Sequence, residues 1–393
     1  MNNAYVVGYG MIDSLGNNPK DCFQRMLDDN DYSSDISSMV EENLKIYRGY
    51  QVDETALVLP EGWDSKGVVL TQRLAMHSTK QALEMANLPA SSNVAVIFST
   101  CSVIDAALEE LFPKLVANKR INPRTVINRI PDMTADHISS YWKFMGVSTT
   151  ILGSCATGIL TIDYAMRVLD EYDYVVCGSG DAGTFRVAMK NFSAIGALSN
   201  DNKPFDDDRK GFVMGSGAGV LILASAKSVE KYGSKVYATL YPAGLASDAY
   251  DQTSPAEDGR GSRLALAKAT TSNVTIDAVS AHATSTIVGD IIEYKTVTDY
   301  FGKIPIYAPK SKIGHTLGGS GIVETIYAIE SMTAGIIPHI QNLNNASMDT
   351  HGCLVRTNTL FEDKPTLRTL NNSFGFGGKC ASQIIEVTRH DFG

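Results

Sequence analysis

The stretch from Val147 to Leu169 limits the fold more than any other part of the chain. Val147 to Leu152 is rich in apolar and β-branched residues, the pattern of a buried strand, and beyond it Ile159, Ile162, Met166 and Leu169 recur at helical spacing. Between the two lies Gly153-Ser154-Cys155-Ala156-Thr157-Gly158, so Cys155 is placed on a strand-to-helix turn. The small neighbours permit a tight turn and leave room beside the sulfur. Amides at the helix start point toward it, which predicts a lowered thiol pKa and a nucleophilic thiolate. The plainer alternative is a small buried hydrophobe, the usual state of a free cysteine. A strand feeding a helix in this way belongs to layered α/β architecture.

A chain of 393 residues is long enough for two or three domains or for one fold with a duplicated core. The formal net charge of -9 argues against bulk affinity for nucleic acid. No basic region followed by a long apolar run opens the chain, and no run approaches membrane-spanning length, so the expected location is cytoplasmic. Six cysteines (Cys22, Cys101, Cys155, Cys177, Cys353, Cys380) form no CxxC pair and no metal-ligand cadence with the histidines, which predicts reduced thiols and no metal.

In chain order, Ala4 to Val7 reads as a strand entering a glycine turn at Gly8-Tyr9-Gly10, without the third glycine of a dinucleotide fingerprint. Asp28 to Asp64 is acidic and irregular, as surface structure is. A helix is expected over Thr71 to Ala86, a strand at Val94 to Phe98, an amphipathic helix over Ile104 to Leu115, and strands at Tyr174 to Cys177 and Val220 to Leu223. Ala226 to Gly233 forms a helix and connector near the midpoint. The second half then opens on Lys235 to Leu240 much as the first opens on Ala4 to Val7, and Cys380 to Val387 echoes Gly217 to Leu223, a hint of duplication.

Three clusters in the second half carry residues suited to chemistry. His282 follows Val279-Ser280-Ala281 and precedes Ala283-Thr284-Ser285-Thr286, ending a strand at a polar turn. His315 follows the strand Ile306 to Ala308 and Lys310, and runs into a glycine-rich turn before Glu324. Either histidine alone could be structural, but two at strand ends beside a cysteine turn fit nucleophilic catalysis. In Asn371-Asn372-Ser373-Phe374-Gly375-Phe376-Gly377-Gly378, glycines bring backbone amides close while the phenyl rings can wall an apolar pocket.

Together these clusters resemble the elongating β-ketoacyl synthases, condensing enzymes of fatty-acid and polyketide assembly. The resemblance runs from Val6-Val7-Gly8-Tyr9-Gly10-Met11 through the cysteine turn, Lys203-Pro204-Phe205-Asp206, Ser247-Asp248-Ala249-Tyr250, Ala281 to Asp290, Lys310 to His315 and Asn372 to Gly378. It implies a thiolase-like α/β fold of five layers, α-β-α-β-α, with a half over 1–228 carrying the cysteine and a half over 229–393 carrying both histidines. It implies Cys155 as acyl-accepting nucleophile, His282 and His315 as the decarboxylating pair, and Lys310 and Glu324 as their charged support. The amides of Cys155 and Phe376 would form the oxyanion hole, Phe376 and Phe374 the gate, and Thr284, Thr286, Gly375 and Gly377 contacts to substrate. No bound cofactor follows, because phosphopantetheine arrives on the acyl carrier protein. That acidic partner would dock on the basic cluster Lys114, Lys119, Arg120, Arg124 and Arg129, which by itself reads as a solvated face. A homodimer or a heterodimer with a ketosynthase-like subunit is implied.

Several positions depart from the family pattern. Ser216 stands where Glu is common, Ala283 replaces Gly, Asp251 takes a place often held by His, and Lys379-Cys380 replaces Thr-Asn. They leave the Cys-His-His set untouched and favour a specialised polyketide or polyene synthase over a housekeeping fatty-acid synthase. A non-condensing chain-length-factor partner would lack the nucleophile. A thiolase would place a second cysteine at a different spacing from Cys380, a starter-condensing synthase would use Asn for His315, and a Cys-His hydrolase would release free acid.

Overall fold

In a computed structural model describing residues 2–39, 45–271 and 274–389, the chain is built on a large mixed sheet. Its first five strands are β1 (Ala4–Asp13), β2 (Val94–Ser99), β3 (Ser148–Thr149), β4 (Tyr174–Ala182) and β5 (Ser216–Ala224). The next five are β6 (Ala238–Leu240), β7 (Ala278–Ser280), β8 (Ile306–Tyr307), β9 (Thr366–Gly375) and β10 (Lys379–Thr388). They lie in the order β8-β7-β9-β10-β6-β1-β5-β4-β2-β3, with a short strand, Gly244–Ser247, beside β10 off this path.

This order contains one motif twice. β2 runs parallel to β3 and β4, while β5 is antiparallel to β4 and β1. In the same way β7 runs parallel to β8 and β9, while β10 is antiparallel to β9 and β6. The two sets meet where β1 pairs antiparallel with β6, from Ala4↔Leu240 to Val6↔Ala238.

Among the helices of the described residues, those that bear on the site and the layers are α1 (Leu70–Ala86), α2 (Val103–Val116), α3 (Pro123–Asn128), α4 (Thr157–Val168), α5 (Ala226–Tyr232), α6 (Arg260–Ala269), α7 (Gly289–Phe301) and α8 (Ser320–Ala334). α4 and α8 pack on each other, and α8 touches β4 and β5 on one side and β9 and β10 on the other. α1 covers the outer face of β1, β4 and β5, and α6, with α7 against it, covers β10. Five layers result, with apolar clusters packed between them. The alternation along β5 shows why the strand is apolar throughout: Leu221 and Leu223 join the central cluster with Ile162, Met166, Ile322 and Ile326, while Val220 and Ile222 face Leu74 and Ala82 of α1. The third cluster sets Leu266 and Val297 against Val279, Leu370 and Ile384.

Three local expectations are corrected. Gly8-Tyr9-Gly10 is not a turn, since β1 runs through it. The glycines are needed because α1 presses on the strand: a Cβ on Gly8 or Gly10 would lie 2.4 Å from the carbonyl oxygen of Ala82 or Ser78. Only Ser148–Thr149 of the expected buried strand Val147–Leu152 is paired, and Leu152 is 53% exposed, because β3 is the sheet edge and the chain leaves it at once. Lys235 to Tyr237 precede β6, which starts at Ala238. The acidic stretch Asp28 to Asp64 holds short strands and 3-10 turns, and 40–44 within it lie outside the described residues. Among the described residues no helix is long and apolar enough to cross a membrane.

Candidate active site

Cys155 lies in a 3-10 turn, Ser154–Ala156, that passes directly into α4, with Ser154 at φ +53°. The Gly153 amide donates to Thr157 Oγ1 at 2.8 Å and the Ala156 amide to the Gly153 carbonyl at 3.1 Å, which fixes the bend. α4 crosses α8 without side chains between them: a Cβ on Gly158 would lie 2.7 Å from Gly321 Cα. This close approach of the two central helices brings their N-terminal loops, one with Cys155 and the other with His315, into contact. His315 Nε2 lies 3.0 Å from Cys155 Sγ, and its Nδ1 lies 3.1 Å from Ser320 Oγ at the start of α8.

The thiol does not follow the sequence expectation of a lowered pKa. Burial pushes Cys155 up to about 12, against the lowering influence of Lys310, and the buried Asp181 carboxylate adds to the rise. The resting group is therefore a thiol, and the helix-start amides alone do not ionise it. His315 is the base within reach. Burial, then Lys310, holds its imidazole well below the usual range, so it is neutral and can accept the thiol proton.

His282 completes the group, its ring centroid 5.6 Å from that of His315 and 5.6 Å from that of Phe374. Its Nδ1 faces Lys310 Nζ at 3.3 Å. An ammonium only donates, so Nδ1 must accept and the ring proton sits on Nε2. Burial, Lys310 and His315 all keep this imidazole uncharged. Lys310 also bonds Glu324 Oε1 at 2.5 Å in a fully buried pair, where burial raises the Glu324 carboxyl to about 7 despite the lysine. The backbone around His282 is clamped by Glu293 of α7, whose two oxygens accept from the His282 and Ala283 amides at 2.8 Å each. Asn372 donates to the same carboxylate at 3.1 Å.

These groups face a cavity of about 480 Å³, lined by Cys155, His282, His315, Phe374, Gly375, Phe376, Thr284 and Thr286 among others. One wall is a relay of rings: Phe376 stacks on Phe192 at 6.4 Å, Phe192 meets Phe212 edge-on at 5.4 Å, and Phe212 meets His315 at 5.0 Å. Gly375 presses on the cysteine turn, where a Cβ would lie 3.0 Å from both the Cys155 amide and the Gly153 carbonyl. A Gly375→Val variant should therefore displace the nucleophile. A shift of an ångström at a reacting centre can cost about a hundredfold, so acylation of Cys155 should slow at least about tenfold while thermal unfolding shows a folded protein.

Lys310 and Glu324 stand behind the histidines rather than on the cavity wall. Gly377 lies outside the lining as well: it is exposed at φ +77°, the conformation the turn between β9 and β10 requires, and its amide donates to the Gln252 carbonyl at 2.7 Å. In the basic cluster, Lys119, Arg120 and Arg129 are exposed and Lys114 is half-buried at the end of α2, but Arg124 is ion-paired with Asp64. Sequence reasoning assigned no role to Glu293, Ser320, Phe192 or Phe212. Glu293 left one signal, a carboxylate opening the helix after the His282 turn.

Residues 1–228 match the family described as the beta-ketoacyl synthase N-terminal domain, and residues 237–344 match its C-terminal domain. A 3-oxoacyl-[acyl-carrier-protein] synthase 2 of Rhizobium meliloti (strain 1021) is 35% identical over 285 residues, 68% of this chain and 67% of that protein. The mitochondrial 3-oxoacyl-[acyl-carrier-protein] synthase of Arabidopsis thaliana is 30% identical over 97% of this chain and 92% of its own length. Among solved structures, a type II PKS acyl-carrier protein in complex with its ketosynthase bound to the hexaketide aligns with a TM-score of 0.86 at 22% identity, covering 98% of this chain and 99% of that one. That likeness shows the fold, the thiolase-like arrangement expected from the sequence.

Proposed function

Since the chain belongs to the beta-ketoacyl synthase family, we propose that it condenses an acyl group held on Cys155 with malonyl-acyl carrier protein, in fatty-acid assembly or, as the departures from the family pattern favour, in specialised polyketide or polyene assembly. The chain is an acyltransferase, and the phosphopantetheine arm belongs to the carrier, so no bound cofactor is required. What carries the reading of the site is one arrangement: a cysteine thiol 3.0 Å from a neutral histidine, with a second neutral histidine beside it on the same cavity wall. A non-condensing partner subunit would not need it.

In the first step Cys155 sulfur attacks the acyl thioester and the carrier thiol leaves with the proton taken up by His315. In the second, the bond between the malonyl carboxyl carbon and its methylene breaks, carbon dioxide leaves, and its electron pair forms an enolate. The His282 Nε2 proton donates to that enolate oxygen in a site walled by rings. The enolate carbon then attacks the acyl carbonyl, the bond to Cys155 breaks, and the thiolate takes a proton from solvent by way of His315. Intact mass tests this directly: an acyl adduct on Cys155 should appear with acyl-carrier protein and disappear on adding malonyl-carrier protein, as a β-ketoacyl product two carbons longer forms. Free acid released without malonyl donor would instead indicate a hydrolase.

The specialised pathway is supported by where the departures fall. Ala283, Lys379 and Cys380 line the cavity, and Ala283 adopts φ +33°, a conformation that favours glycine. The reading divides the chain into halves at residues 228 and 229, places it in the cytoplasm, and pairs it with a second thiolase-fold subunit, identical or related. The apolar face of α2 supports that pairing, with Phe112 64% and Val116 73% exposed on a helix that packs against α3, where Ile127 is exposed as well. For the carrier protein, Lys119, Arg120 and Arg129 are the docking charges. Reversing all three should raise KM for carrier-bound substrate by about tenfold at low salt, and leave a small acyl thioester unaffected. Equal loss on both substrates would refute docking there.

A further inference from the structure

We infer that Lys379 recognises the free carboxylate of the malonyl unit, a role that rests on the condensing reading and names the group that selects its extender. Lys379 opens β10 just after the turn carrying Phe376, and it lines the cavity. Its Nζ bonds the Phe376 carbonyl at 3.3 Å and has no carboxylate at ion-pair distance among the described residues. An ammonium has three donors, so two remain.

The other charges of the wall are already committed or distant. Asp248 accepts from the Tyr250 and Ala256 amides, Asp290 from the Phe205 amide, and Glu293 from His282 and Ala283. Lys210 is exposed, and Lys310 serves Glu324 and His282 from behind the wall. Lys379 is therefore the half-buried cation of the lining with donors to spare.

Its position decides which anion it meets. The Phe376 carbonyl it touches follows Gly375, the residue pressed on the Cys155 amide. A malonyl carboxylate is separated from the reacting thioester carbon by the methylene alone, and the proposed contact sets it beside this turn. The phosphate of the carrier arm is removed by the whole length of pantetheine. The aromatic wall of Phe374 and Phe376 lowers the local dielectric, which strengthens a charge-assisted bond. The carboxylate keeps most of its charge until the carbon–carbon bond breaks, so the contact serves bound substrate and transition state about equally and acts on KM rather than on kcat.

The test uses pre-acylated protein with malonyl-pantetheine, which bypasses carrier docking. Lys379→Met should raise KM for malonyl-pantetheine by about 10- to 100-fold, the weight of a charge-assisted hydrogen bond, with kcat within about threefold. Lys379→Arg should restore most of that loss, and acylation by octanoyl-pantetheine, which has no carboxylate, should be unchanged. An unchanged malonyl KM, or a parallel fall in acylation and condensation, overturns the role, since a lysine that only braces the Phe376 turn would give one of these. Wild-type protein that acylates but never condenses overturns the condensing reading itself, and is told apart by needing no variant.

Discussion

With His282 replaced by alanine, Cys155 should still take up an acyl group at close to the wild-type rate, while condensation falls by about 10²- to 10³-fold, the cost of losing one donor to a developing oxyanion. The division follows from distance. His315, not His282, touches the sulfur at 3.0 Å, so the thiol keeps its base in this variant. What disappears is the Nε2 proton that Lys310 enforces by occupying Nδ1. Intact mass should show an acyl-enzyme that persists after malonyl-carrier protein is added, and trapped carbon dioxide should fall with product. Cys155→Ala should form no adduct, and His315→Ala should slow both steps because its ring serves the thiol. If His282→Ala lost adduct formation as severely as condensation, or condensed within about tenfold of wild type, the assignment of Nε2 to the enolate would be wrong.

Periodicity made the layers legible because most strands are covered on both faces and the helices on one. Val220 to Leu223 and Ile159 to Met166 carry those patterns openly. Expectation failed where tertiary contact replaced local pattern. Gly8 and Gly10 look like a turn only until α1 is seen pressing on β1. Arg124 looks like part of a basic face until Asp64, sixty residues away in sequence, pairs with it. The site shows the same division. Cys155, His282 and His315 stand out by residue type and by strand-end position, but which histidine meets the sulfur depends on the crossing of α4 and α8 at Gly158 and Gly321. The thiol pKa was misjudged because a helix start is visible in sequence and desolvation is not. Glu293 is not legible as part of the site because its work, two bonds accepted from backbone amides, leaves no mark on residue spacing.

The Lys310–Glu324 pair carries the second large effect, on stability as well as on rate. Both side chains are buried, and Glu324 Oε2 has no hydrogen-bond partner among the described residues, so the lysine is the main compensation for that carboxylate. Lys310→Met should destabilise the fold by about 3 kcal/mol at neutral pH or above, the usual cost of stranding one member of a buried pair. The loss should depend on pH with a definite sign. A carboxyl whose folded pKa is raised binds its proton more tightly in the folded state, so its contribution is full below the unfolded value and is lost as pH rises through the folded one. In the wild type that decline ends near the raised value of about 7. Without Lys310 the carboxyl rises further and the decline continues, so the gap in Tm between wild type and variant should widen from pH 6 to pH 8.5. Adding Glu324→Gln to Lys310→Met should close most of the gap, because neither position of the pair then carries a buried charge. It should not restore condensation, since nothing would hold the His282 ring in its Nε2-protonated form. Recovery of both stability and turnover in the double variant would show that the pair matters only to the fold, and that His282 finds its tautomer unaided.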